Sequence, residues 1–279
     1  MISKDIPSVA SNPRRLAPRV VPRLPKIPWN RLMEVTGYLA ALLIVWEAAV
    51  GFFSIPSYLL PPPSSVALAL NEGIQSGVYL YNLTITMTEV IVGFGIGALL
   101  GLLLGIGIAT VAAIERVLYP YVIAIQTVPK VAIAPLMIVW FGFGLQSKII
   151  IVAMASMFPV LVNTIAGLKA ADEDRISLVR ALCGSGIDVL RFVQIPSALP
   201  YIFAGLNTAL VLAVISAIVG EFVGARHGIG VLIMQANVSL DVAGVFALLV
   251  VLALSGVCLT MILRAVERRI CFWSGRSTR

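Results

Sequence analysis

An all-α, polytopic membrane protein with six transmembrane helices is what the sequence predicts, and three observations carry that prediction. Of the 279 residues, 59% are hydrophobic and only 12% are charged, about half the charged share of a soluble domain. Several apolar runs reach about 20 residues, enough for a helix to cross the hydrocarbon core. The basic residues behind the net charge of +7 collect in particular inter-span segments rather than spreading evenly. So polar a deficit excludes a water-soluble globule with an apolar core. The distribution of the cations also explains the basic balance without nucleic acid.

Residues 1–32 are rich in proline and arginine and hold no apolar run of the kind a secretory signal needs. They are expected to form a disordered basic cytoplasmic tail whose cations meet anionic headgroups. The first span is expected over 33–53, with Glu34 at its edge and Glu47 inside it. Pro61-Pro62-Pro63 then breaks the chain before an amphipathic helix around 65–75. The second span, 83–112, carries Gly93, Gly95, Gly97, Gly101 and Gly105. Such small residues let helix backbones approach closely in lipid.

The third span is expected over 119–143, interrupted by Pro129 and Pro135, each of which removes a backbone donor. Broken helices at membrane depth persist where they are buried in protein or line a cavity. A fourth span covers 149–168. A polar stretch, 169–197, separates it from the fifth, 198–219, and the sixth covers 242–263. Residues 270–279 form a second cytoplasmic tail. With six spans both termini share a side. That side and its loops hold seventeen Lys and Arg, against Lys148 and Arg226 on the other. The asymmetry places both termini and the 169–197 loop in the cytoplasm.

Within that loop, Leu178–Leu182 has helical spacing and Gly184-Ser185-Gly186 interrupts it. Ile187, Leu190 and Val193 resume an apolar face before Pro196 and Pro200. Two short helices joined by a glycine turn at the membrane surface are therefore expected. Docking in a partner's groove and lying in the interface as an ordinary amphipathic helix both fit this pattern.

Ionisable groups inside apolar spans are costly and mark candidate functional positions. Lys130 sits beside Pro129, where it either aids an anionic substrate or snorkels to the interface. Glu89 is its candidate partner, or lies at the outer edge of its span. Glu221 ends the fifth span, lining a gate or pairing with Arg226. His227 is the only histidine, and Cys183, Cys258 and Cys271 have no metal-site spacing. No metal site, catalytic group or bound cofactor is expected, and there is no GxxxxGK[ST] phosphate loop. Trp46, Trp140 and Trp273 are placed as interface anchors. An ion-gradient-driven secondary transporter is the alternative reading, but its usual internal repeat is not visible.

The loop resembles the EAA loop of permease subunits in ABC importers. Anchored on Ile195-Pro196, the motif's glycine falls on Cys183, its isoleucine on Val193 and its EAA triplet on Ser177, Leu178 and Val179. Gly184, one place later, is positioned to take over the turn. Four further stretches resemble the nitrate/sulfonate/taurine-type permeases in the right order: Leu60–Leu70, Val128–Asp172, Leu199–Leu210 and Gly220–Ala236. The resemblance implies a type I importer permease fold in a bacterial inner membrane. It implies a homodimer of permeases above a cytoplasmic ABC ATPase dimer that uses the ATP, with an external binding protein delivering a small solute. Its members import nitrate, sulfonates, taurine, aromatic carboxylates or vitamin precursors, which points to a small organic or inorganic anion. Coupling to the ATPase would fall on Arg180, Ala181, Leu182, Cys183, Gly184, Ser185, Gly186, Asp188, Val193 and Pro196. Pro129, Lys130, Pro135 and Glu221 are the candidates for the translocation path.

Overall fold

The computed structural model describes residues 29–273. The expected tails lie mostly outside the described residues, since 29–32 open the first helix and 270–273 close the last. Residues 1–45 and 46–279 form two units. The helix α1 (Trp29–Phe52) begins in the first. All the other described elements belong to the second, and no strand occurs among the described residues.

Pro61 and Pro62 hold an extended entry to α2 (Pro63–Gln75), and Pro63 occupies its first turn, where a missing donor costs nothing. Glu47, flagged as an acid in an apolar run, accepts from the Ser64 amide at 3.0 Å and the Ser64 hydroxyl at 2.8 Å. A carboxylate at a helix N-terminus is electrostatically favourable. Gly77, at φ 73, turns the chain into α3 (Val78–Thr110).

The core of the second unit is a three-helix stack in which α6 (Leu145–Lys169) lies between α3 and α9 (Ile195–Gly224). Gly93, Gly97, Gly101 and Gly105 recur every fourth residue, so they share one face of α3. A Cβ there would meet, in turn, Val152, the Ala153 carbonyl, the Met157 carbonyl and Thr164 of α6. Gly95 faces open space and takes no part. Val152, Val160 and Ile165 of α6 are fully enclosed. Dispersion between closely approached backbones is what drives helix association where water supplies no hydrophobic force.

The interruption of the expected third span is a full break between two helices. α4 (Ala112–Gln126) ends, a 3-10 turn covers Lys130–Ile133, and α5 (Ala134–Phe141) follows. Pro129 has no N–H to continue α4, so the ladder stops at the Thr127 and Val128 amides. Pro135 starts a helix instead of bending one, because it falls in the first turn of α5. Apolar contacts among Ala134, Met137 and Ile151 seat α5 on α6.

After α6 come the short helices α7 (Glu173–Ala181) and α8 (Gly186–Val189). Pro196 does not break the return to the bundle. A π-helical turn, Leu190–Gln194, joins α8 to α9 without interruption. The proline ring would clash with the Phe192 carbonyl and leaves it without a donor, and the wider turn relieves both. The fold closes with α10 (Ile229–Val238) and α11 (Val242–Ile270). Among the described residues, α3, α6, the run Gly186–Gly224 and α11 are long and apolar enough to cross a membrane. The apolar helices Thr36–Phe52 and Ile229–Val238 are shorter. The outer faces of α3 and α11 expose large apolar side chains such as Leu99, Leu103, Leu254 and Met261.

Candidate coupling loop and buried polar cluster

The loop between α6 and α9 is built by caps. Asp172 opens α7 by accepting from the Asp174 amide at 3.0 Å, and Glu173 and Asp174 add negative charge at the same end. Its C-terminus is closed by two amides. That of Cys183 reaches the Arg180 carbonyl at 3.0 Å and that of Gly184 the Val179 carbonyl at 2.9 Å. This is the Schellman arrangement, whose C′ residue must be left-handed. Here that residue is Cys183, at φ 60. Gly184 does not take over the left-handed position. It is needed for space, because a Cβ on it would press on Val179.

Ser185 then opens α8 with a full capping box. Its hydroxyl accepts from the Asp188 amide at 3.3 Å, and its amide donates to Asp188 Oδ2 at 2.8 Å. The Ser185 hydroxyl also donates to that carboxylate, at 2.6 Å. These bonds, the side-chain one foremost, hold the Asp188 carboxyl below its ordinary range. Arg180, Ala181, Leu182, Cys183, Gly184, Ser185, Gly186 and Asp188 therefore form one continuous helix-turn-helix corner.

The expected apolar face over Ile187, Leu190 and Val193 is divided. Val193 and Val189 are buried, and Leu190 packs against Leu168 and Ala198 at the base of the bundle. Ile187 points away. With Leu178, Leu182 and Phe192 it is exposed at 75%, 61%, 75% and 63% respectively. Four large apolar side chains thus stand out among Glu173, Asp174, Arg175, Arg180 and Arg191. A cluster of this kind on a charged segment marks an interaction surface. An ion pair between Lys169 and Glu115 ties the root of the loop to α4.

About 30 Å of helix separates Lys169 from Lys148 at the other end of α6. There a buried polar cluster joins four elements. Lys148 Nζ lies 3.7 Å from Oε1 of Glu89 on α3, and both side chains are buried. Glu89 therefore has Lys148 as its partner, where Lys130 had been the candidate. The carboxyl of Glu221, on α9, faces that of Glu89. Glu221 does not pair with Arg226. It accepts from the Thr86 hydroxyl at 2.6 Å and from the Gly230 amide at 2.5 Å. Thr86 in turn accepts from the Ile229 amide at 2.9 Å, and Asn82 accepts from the Gly228 amide at 2.7 Å. All three amides at the start of α10 are thereby captured by side chains. A Cβ on Gly228, at φ 130, or on Gly230 would strike the Glu221 carboxylate.

Sequence reasoning found the two acids of this cluster but not Lys148, Thr86 or Asn82. Their only signal was polarity within or beside an apolar run. Pro129 and Pro135 are exposed, Pro129 in the break after α4 and Pro135 in the first turn of α5. The side chain of Lys130 lies outside the described residues. His227 sits edge-on to Tyr81, ring centroids 5.7 Å apart. Glu221 also lines a cavity of about 530 Å³ between the end of α9 and α10, with Phe222, Val231, Met234 and Gln235.

Comparison with known proteins adds to this geometry. Residues 97–271 match the family described as binding-protein-dependent transport system inner membrane component. The riboflavin transport system permease protein of Chloroflexus aurantiacus is 35% identical over 93% of this chain and 96% of its own length. The taurine transport system permease protein of Escherichia coli K12 is 31% identical over 88% and 93%. Among solved structures, the MetNI methionine ABC transporter in inward-facing conformation superimposes with a TM-score of 0.62 at 20% identity. That likeness covers 69% of this chain and 96% of the other, and shows a shared fold.

Proposed function

The chain belongs to the binding-protein-dependent transport system inner membrane components, and from that premise we propose how its parts divide the work. It is an ABC transporter permease subunit, a multi-pass protein of the inner membrane, and not an enzyme. The corner from Arg180 to Asp188 is the coupling element, docking in a groove of a cytoplasmic ATPase that binds and hydrolyses the ATP. The observation that carries this assignment is the apolar quartet Leu178, Leu182, Ile187 and Phe192, exposed on an otherwise charged and rigidly capped corner. An interfacial helix would present such residues along one stripe towards lipid. Here they crown a bend whose own buried face, Val189 and Val193, is already spent on the bundle.

The chain crosses the membrane six times, the four long apolar helices being joined by α1 and by the broken α4–α5 segment. The seventeen-to-two distribution of Lys and Arg supports cytoplasmic termini and a cytoplasmic coupling loop. A second copy of the chain completes the path. The centre of one copy, α6, is packed solid, so a route for solute must run along its outer faces. The break around Pro129, Lys130 and Pro135 and the α9–α10 cavity beside Glu221 are the candidate path-lining regions.

An external binding protein delivers the solute, a small polar organic molecule: a sulfonate or carboxylate anion, or a heterocyclic vitamin precursor. Relatives named for taurine and for riboflavin support that range. ATP and the loaded binding protein shift the permease between its two arrangements through their differential affinity for them.

Proteoliposomes holding the permease, its ATPase and its binding protein test this reading. Uptake that requires both ATP on the ATPase side and binding protein on the other is the expected result. Uptake driven by an imposed ion gradient without ATP would replace it with a secondary transporter.

A further inference from the structure

We propose that the cavity between the end of α9 and α10 is a binding site for a neutral, planar heterocycle with a ring-amide edge, and that Gln235 reads that edge. The inference rests on the importer reading above and narrows its solute to the heterocyclic class.

Three observations carry it. First, the cavity has the make-up of a small-molecule site. Its volume is about 530 Å³, within the range that holds drug-sized ligands. Phe222, Val231, Met234 and Val238 give it apolar walls, and Gln235 and Ser239 bring polar groups. Val231, Gln235 and Ser239 are spaced by four, so they share one face of α10 and its C-cap. An aromatic ring and a thioether are favourable surfaces for a flat ring.

Second, the polar groups on the cavity are nearly all acceptors. Helix α9 ends on it. The Glu221 carbonyl takes the Ala225 amide, but among the described residues the carbonyls of Phe222, Val223 and Gly224 take none. They lie at the negative end of the helix dipole, and the Glu221 carboxyl adds further oxygens. Ser239 spends its proton on the carbonyls of Gln235 and Ala236, at 2.9 and 3.1 Å, and keeps its lone pairs. Behind Glu221, Lys148 is paired with Glu89, so no spare cation offsets these oxygens. Arg226 and His227 follow in the chain, but neither lines the cavity. Acyl chains cannot satisfy free carbonyls, so lipid is a poor occupant. A sulfonate or carboxylate would bring only acceptors and negative charge. A heterocycle with ring N–H groups brings donors and no charge.

Third, Gln235 is free to act. Its side chain is exposed and has no hydrogen-bond partner among the described residues. A carboxamide offers donors and an acceptor in one plane. That is the complement of the adjacent N–H and C=O of a ring amide, so the pair makes two hydrogen bonds side by side.

Fluorescence titration of lumazine, a neutral bicyclic ring amide, into the permease–ATPase complex in nanodiscs tests the assignment, with empty nanodiscs as the blank. The expected result is saturable quenching that excess ethanesulfonate does not displace. Gln235→Leu should weaken binding about tenfold, the factor for losing two neutral hydrogen bonds. Gln235→Glu, of the same size but without the donors, should weaken it as well, and Arg226→Ala should leave it unchanged. Ethanesulfonate that displaces lumazine, or binding indifferent to both changes at Gln235, overturns the assignment. So does the absence of saturable binding to an assembled complex, which leaves the importer reading intact because assembly with the ATPase is a separate readout. Failure to recover any ATPase removes the importer reading, and lumazine binding to the permease alone then decides the cavity.

Discussion

Cys183 closes the turn after α7, and its backbone adopts the left-handed conformation that a glycine usually supplies there. The sequence reading expected Gly184 to take the turn, and the left-handed residue is Cys183. Gly184, the expected substitute, is kept small by Val179 instead. A left-handed non-glycine residue costs about 1 kcal/mol, so Cys183→Gly should stabilise the corner by up to that amount. Cys183→Val should destabilise it by more, because the branched Cβ crowds the turn. Thermal unfolding of the purified subunit measures both.

At Asp188, hydrogen bonds from Ser185 lower the carboxyl's affinity for protons. A lowered folded-state value contributes stability that is present above the unfolded value and is lost as pH falls through the folded one. Protection of the Ser185 amide should accordingly disappear on acidification, and Asp188→Asn should reduce it at neutral pH. Lys148 carries the largest expected effect. Lys148→Met leaves Glu89 buried without its cation and should cost about 3–5 kcal/mol. Unfolding with and without the paired change Glu89→Gln checks this, since removing both charges should recover most of the loss. None of this was visible at position 148 in the sequence, where a lone lysine before an apolar run looks like an interface residue. Only the fold brings Glu89 to it.

Among the helices, the contact of α3 with α6 was the most legible. A glycine every fourth residue marks one face by helical geometry alone, and that face meets the α6 backbone. Gly95 interrupts the pattern in sequence but lies off the face. Gly97→Val would drive a branched side chain against the Ala153 carbonyl and should destabilise the pair by about 1–3 kcal/mol, whereas Gly95→Ala should be close to neutral. A thermal shift comparison of the two variants separates facing from non-facing glycines.

The prolines were legible as breaks but not in kind. Pro129 ends α4, Pro135 starts α5 and Pro196 leaves a helix continuous through a π-helical turn. Each removes a single donor. Whether that stops, starts or widens a helix depends on where the proline falls in the turn: Pro135 lies in a first turn, where no donor is needed, and the π-helical turn accommodates Pro196. The same limit applied to Ile187, whose spacing put it on a buried face with Leu190 and Val193. The π-helical turn shifts the angular register after Val189, and Ile187 points outwards.

For the molecule as a whole, composition and apolar run length were enough to identify a membrane protein, because a bilayer imposes a length on helices that few soluble folds share. The four long apolar helices follow from that. The parts that required coordinates are those where polar atoms meet across helices: the cap network of the corner at one end of α6 and the cluster around Lys148 at the other. Polar contacts of this kind have no period in sequence.

The division of labour between this permease and an ATPase is tested most directly by recovery. The tagged protein is purified from its native membrane in mild detergent beside a form carrying Leu182→Asp and Ile187→Asp. Both positions are exposed, so the fold should tolerate the changes. A Walker-type ATPase recovered in equal amount with the parent, and lost from the double variant while the permease itself is recovered intact, is the predicted result. An ATPase retained equally by both forms would contradict docking through the apolar quartet, and none with either form, even after cross-linking, would contradict the importer assignment itself.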